Sequence, residues 1–158
     1  MATRAPSELL IETDSPAATA ELGRRLAAVA RPGDLICLWG ELGAGKTVLA
    51  KGVGAGLGTT TPIASPSFIL MAEHAGRLPL FHLDLYRLAG AQDVLEGGLL
   101  VERQADGLTL VEWPERLGPA LPAERLDIVL EIAGETSRRI TLRATGTSLE
   151  RYLEAARA

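Results

Sequence analysis

The sequence predicts one α/β domain built on a central, mostly parallel sheet with antiparallel additions, and three observations predict it. Short uncharged apolar runs, residues 35–39 and 108–111, read as strands buried on both faces, the pattern of parallel sheets covered by helices. A glycine-rich turn leads from the first of these runs into a helical stretch. Two later segments, 126–132 and 140–142, alternate apolar and polar or smaller residues across a turn, as an antiparallel pair does. A length of 158 residues suits one continuous core and not two.

Taken in order, residues 15–30 place Ala18, Leu22, Leu26 and Val29 on one helical face, with Ser15 as a cap and Pro16 in the first turn. Pro32 and Gly33 end this helix, and Gly40 breaks the strand that follows. Residues 47–57 are helical by position, although Gly52, Gly54 and Gly56 each weaken a helix by roughly 0.5 to 1 kcal/mol relative to alanine. The sequence gives no reason for those glycines. Residues 59–67, rich in hydroxyls and cut by Pro62 and Pro66, are expected to loop over the surface.

Residues 68–73 and 78–85 flank a turn containing Gly76, which predicts a hairpin. In its second strand Phe81, Leu83 and Leu85 alternate with His82, Asp84 and Tyr86, so one face is greasy and the other chemical. Residues 91–104 form a further helix interrupted at Gly97 and Gly98, and residues 114–125, with three prolines, connect around the surface. Thr147 and Glu150 form a capping box before a closing helix that carries Leu149, Tyr152, Leu153 and Ala156.

Apolar residues make up 47% and charged residues 23% of the chain, the proportions of a folded globular protein. Sixteen basic against twenty acidic residues give a net charge of −4, so bulk electrostatics make no case for binding DNA or any other polyanion. Cys37, the single cysteine, lies in an apolar run and is expected to behave as a buried hydrophobe. No secretory pattern precedes Thr13, and no uncharged run approaches the ~20 residues of a membrane helix. A cytoplasmic protein without membrane contact is expected.

Gly40-Glu41-Leu42-Gly43-Ala44-Gly45-Lys46-Thr47 matches G-x-x-x-x-G-K-[ST] between a buried strand and a helix, where that pattern holds phosphates. Glycines let backbone N–H groups converge on phosphate oxygens, and the following helix points its positive end at them. The motif predicts the three-layer fold of P-loop nucleotide-binding proteins. Residues Glu41 to Val48 form the nucleotide-binding set, Lys46 reaches the β- and γ-phosphates, and the Thr47 hydroxyl ligates Mg²⁺. Neither N-K-x-D nor D-x-x-G is present, so guanine reading loses support and ATP is the expected nucleotide. Without an ABC-type signature or an adjacent Asp-Glu pair after an apolar strand, a small kinase or an unusual ATPase remains.

Asp84 and Glu112 each follow an apolar strand, and either could hold Mg²⁺ directly or through water. The structural alternatives are a carboxylate capping the next turn for Asp84 and an arginine partner for Glu112. Ser65-Pro66-Ser67-Phe68 lies where a switch-like loop would pass the γ-phosphate, with Ser65 and Ser67 as its hydroxyls. His82 reads as a packed core histidine rather than a base, and Trp113 either shapes a pocket or fills space.

In their order and spacing, G-E-L-G-A-G-K-T, S-P-S-F, H-L-D-L-Y-R and V-E-W-P-E resemble the bacterial TsaE (YjeE) family, over roughly residues 15–143. The resemblance implies an ATPase that works with the TsaB and TsaD proteins to make threonylcarbamoyladenosine at position 37 of tRNAs reading codons that begin with adenine. It implies contact with tRNA through that complex. It further implies that Lys46 and the loop amides bind ATP, that Thr47 and Glu112 hold Mg²⁺, and that Asp84 supports the metal or the attacking water. Residues 65–68 would sense the nucleotide, and the helix start near Ser15 and Pro16 would border the adenine.

Two departures stand out. Val48 replaces a frequent second threonine, removing a hydroxyl contact to the α-phosphate, and Ser67 replaces the usual threonine, keeping the hydroxyl without its methyl. Two other readings stay open: a small-molecule kinase with Asp84 as base, and a docking module controlled by ATP binding alone. Against the kinase, the Arg138-Arg139 pair fits a hairpin better than a lid.

Overall fold

The structure, a computed structural model, describes residues 7–60, 71–86 and 105–157. In chain order the elements are β1 (Ser7–Thr13), α1 (Pro16–Ala28), β2 (Leu35–Trp39), α2 (Lys46–Leu57), β3 (Met71–His74), β4 (Leu80–Asp84), β5 (Leu108–Glu112), β6 (Leu126–Ile132), β7 (Arg138–Ala144) and α3 (Glu150–Arg157). Seven strands form one sheet ordered β1-β7-β6-β2-β5-β4-β3. The inner strands β6, β2, β5 and β4 run parallel to one another. At the margins β7, β1 and β3 pair antiparallel. The predicted parallel centre with antiparallel additions is the architecture observed.

Strand periodicity divides the core. Ile36 and Leu38 of β2, Leu80 of β4, Leu108 and Leu110 of β5 and Leu126, Ile128 and Leu130 of β6 face α1, α2 and α3. Cys37, Phe81, Leu83 and Val111 face the other way and pack with Leu117. That residue belongs to a 3₁₀ segment, Pro114–Ala120, broken at Gly118. The stretch expected to wander over the surface therefore packs on the second face of the sheet, with Pro114 and Leu117 buried.

Two of the three α2 glycines, Gly52 and Gly56, have a packing reason. A Cβ on Gly52 would lie 2.0 Å from the Ala20 carbonyl oxygen, and one on Gly56 would lie 2.6 Å from the Ala27 Cβ. The two helices thus approach backbone to backbone, and only residues without side chains permit it. The cap of α1 is the one expected: Ser15 Oγ accepts from the Ala18 N–H at 3.1 Å.

Two points need correction. β1 was not foreseen, because Leu10, 56% exposed, interrupts the alternation of Leu9 and Ile11 with Glu8 and Glu12. The Thr147–Glu150 capping box does not form. Thr147–Leu149 is a 3₁₀ turn led by Gly146 without a side-chain cap, and the Glu150 carboxylate accepts the Ser7 hydroxyl at 2.6 Å. His82 is wholly buried, as expected of a packed core histidine. The helix expected over residues 91–104 and the loop at 65–68 lie outside the described residues.

Burial pushes the Cys37 thiol up to about 12, with the Asp127 charge adding to the rise. Native protein at pH 8 is therefore expected to resist thiol reagents, with Cys37 labelling only as fast as the chain unfolds. A rapid stoichiometric reaction in buffer would contradict this burial. Among the described residues no helix is long and apolar enough to cross a membrane.

Candidate functional site

After Trp39 the chain leaves the C-terminal edge of β2 and turns through residues 40–45 into α2. Gly43 and Gly45 take φ values of 83° and 103°, a region that side chains resist, so these two glycines shape the turn. Glu41, Leu42 and Gly43 are exposed, whereas Ala44 is buried. Lys46 opens α2 and is 5% exposed. Its Nζ donates to the Gly40 carbonyl at 2.6 Å and sits 3.5 Å from the centre of the Trp113 ring. Thr47 and Val48 follow in the first turn, both partly buried.

Trp113 is the one non-glycine described residue with positive φ, 61°. Such backbone costs on the order of 1–3 kcal/mol and persists where packing enforces it. Here β5 ends at Glu112 and the turn carries the indole back over the lysine, with the Tyr86 ring centre 4.8 Å away. Burial lowers the pKa of Lys46, and the nearby carboxylates of Glu112, Glu115 and Asp84 partly oppose that shift.

The two strand-end acids meet. Asp84 and Glu112 are paired in the β4–β5 register, and alternation puts both on the sheet face that carries α2. Glu112 is 3% exposed. His82 Nε2 donates to Glu112 Oε2 at 2.6 Å, fixing one carboxylate oxygen. The partner of Glu112 is thus a histidine and not an arginine. Asp84 Oδ1 accepts the Tyr86 N–H at 3.1 Å, so this carboxylate does cap the turn after β4.

Would these residues suit Mg²⁺? It prefers oxygen ligands and keeps several waters and substrate phosphates in its shell. Thr47, Glu112 and Asp84 supply only oxygen, and the field of both acids reaches the loop lysine. The donor set fits. Among the described residues no three His, Cys, Asp or Glu side chains form a closed cage.

Beside the start of α2 lies an open pocket lined by Pro16, Thr19, Gly45, Val48, Glu135, Thr136 and Arg138. Pro16 and Val48, separate in the sequence, come together here. Ser15 is occupied as the helix cap, and Trp113 stands over Lys46 rather than among these lining residues. Ser65 and Ser67 fall outside the described residues. Sequence reasoning missed the His82–Glu112 bond and the grip of Arg138 on the loop. Only the alternation of β4 with β5 hinted at the former, and nothing hinted at the latter.

A parallel sheet with a glycine loop between its central strand and a helix defines an α/β protein of the P-loop NTPase fold class. A solved structure described as Bacillus subtilis YdiB matches with a TM-score of 0.80 and 37% identity, covering 98% of this chain and 97% of that one. The family model for the threonylcarbamoyl adenosine biosynthesis protein TsaE matches residues 13–140, and the chain belongs to the TsaE family. The tRNA threonylcarbamoyladenosine biosynthesis protein TsaE of Bacillus subtilis (strain 168) is 40% identical over 148 residues, covering 93% of this chain and 92% of the relative. Its Streptomyces coelicolor counterpart is 41% identical over 133 residues, covering 80% of this chain and 90% of the relative.

Proposed function

We propose that the protein is a Mg²⁺-dependent ATPase of tRNA threonylcarbamoyladenosine biosynthesis, acting with TsaB and TsaD proteins and meeting tRNA through them. The observation that carries this reading is Lys46, held nearly buried at the mouth of a glycine loop with two strand-end carboxylates beside it. On ATP binding Lys46 would exchange the Gly40 carbonyl for β- and γ-phosphate oxygens, and the loop amides would take the remaining charge. Thr47, Glu112 and Asp84 would hold Mg²⁺, which would supply neutralisation of phosphate charge. His82 keeps the Glu112 carboxylate oriented. Pro16 and Val48 offer apolar surface to the purine, and Val48 offers no hydroxyl to the α-phosphate.

Hydrolysis would reset the modifying complex rather than attach the threonylcarbamoyl group. Turnover alone is expected to be feeble, rising by about 10³ or more when partners complete the site. The test is reconstitution with TsaB, TsaD, ATP and tRNA, scoring hydrolysis and modification together. Glu112→Gln and Asp84→Asn should lose both. Modification that survives without hydrolysis would replace this reading with a docking module, and phosphate moved to a metabolite faster than to water would make the protein a kinase.

A further inference from the structure

Arg138 opens β7, and its guanidinium is committed to four backbone carbonyls. Nε donates to Ala44 O at 3.0 Å and Nη2 to Gly43 O at 3.1 Å, both in the glycine loop. Nη1 donates to Gly134 O at 3.1 Å and Ser137 O at 2.8 Å, both in the turn between β6 and β7. A guanidinium carries five N–H donors in a rigid plane, so nearly all of its capacity bridges two segments distant in sequence.

The direction of these bonds matters. In a trans peptide the carbonyl and the following N–H point opposite ways, so an Ala44 carbonyl held towards Arg138 turns the Gly45 N–H away from it. The bridged turn also carries Glu135 and Thr136, which line the pocket with Pro16 and Val48. Thr136 Oγ1 in turn donates to the Asp14 carbonyl at 2.9 Å, tying the turn to the residue before the α1 cap. One side chain therefore links the loop to the pocket wall.

We propose that Arg138 is a positioning residue that sets the glycine loop and the β6–β7 turn in one register, so that the phosphate and nucleoside ends of ATP meet a single preformed surface. The proposal rests on the reading of the loop as an ATP site. Arg138 also lines the pocket, but four of its five N–H donors are spent on the loop and the turn, so its role is to act through those two segments. Lysine at this position keeps the charge but loses the planar fork, and cannot hold loop and turn in the same geometry.

The experiment measures ATP binding to the full chain by calorimetry for wild type, Lys46→Ala, Arg138→Gln and Arg138→Lys, with amide hydrogen exchange over residues 133–137. Wild type should bind ATP and gain protection in that turn. Arg138→Gln should bind about tenfold more weakly or worse, Arg138→Lys should not restore affinity, and both should lose the ATP-dependent protection. Should Arg138→Gln fail to fold, Arg138→Lys carries the same comparison. Full affinity and protection in Arg138→Lys would reduce the role to charge and overturn the proposal, as would wild-type binding by Arg138→Gln, with the ATP reading intact. If wild type does not bind ATP, or Lys46→Ala binds equally well, the ATP reading falls and the proposal with it.

Discussion

Lys46→Ala is expected to weaken ATP binding by roughly 100-fold or more, on the scale of one to two charge-assisted hydrogen bonds to phosphate, and to abolish partner-stimulated hydrolysis. Calorimetry on purified protein measures the first effect and phosphate release the second. The fold should survive, because the ammonium's described partners are one carbonyl, that of Gly40, and the half-buried Trp113 ring. Affinity should also fall at alkaline pH. The ammonium is the binding form, and burial sets its pKa below 10.5, so binding is full at neutral pH and lost as pH rises through that lowered value. The unliganded fold responds in the opposite sense: the cost of burying the charged lysine is complete at neutral pH and is relieved only as pH climbs from the lowered value towards 10.5. Binding that stays constant as pH rises past 10.5 would contradict a buried, phosphate-seeking ammonium.

Gly52→Ala is expected to destabilise the protein severely, although alanine is the better helix former by about 1 kcal/mol. The new Cβ would lie 2.0 Å from a main-chain oxygen of Ala20, which cannot withdraw without displacing α1. Overpacking against rigid backbone costs on the order of 3 kcal/mol, and for a chain of this size that lowers the thermal midpoint by roughly 6–12 °C. Thermal and urea unfolding measure it, with Lys51→Ala, exposed on the same helix, as the control expected near zero. A Gly52→Ala midpoint equal to wild type would mean that the helices stand further apart than described.

Much of this architecture was legible in the sequence where local signals agreed with the fold. Residues 35–39 and 108–111 are short, apolar and uncharged because helices and the 3₁₀ segment cover both sheet faces. The glycine loop was legible because its chemistry demands particular residues at fixed spacing. What escaped depends on contacts between distant segments. Gly52 looks like a defect until α1 is laid against it, and Arg138 looks like one of many arginines until the β6–β7 turn brings it to the loop. His82 was read as packing, and it is buried, yet its place beside Glu112 follows from strand register, which one strand alone does not reveal. β1 escaped because exposed Leu10 blurred its period.

The backbone contact between α1 and α2 has a consequence for recognition. Pro16 stands at the head of α1, while Lys46, Thr47 and Val48 stand at the head of α2, on the two sides of the candidate nucleotide site. Helices packed with no side chains between them at Gly52 have little room to slide, so these two walls are expected to move together. A ligand entering between them loses its own freedom but does not have to quench theirs, and that saving in entropy appears directly as affinity.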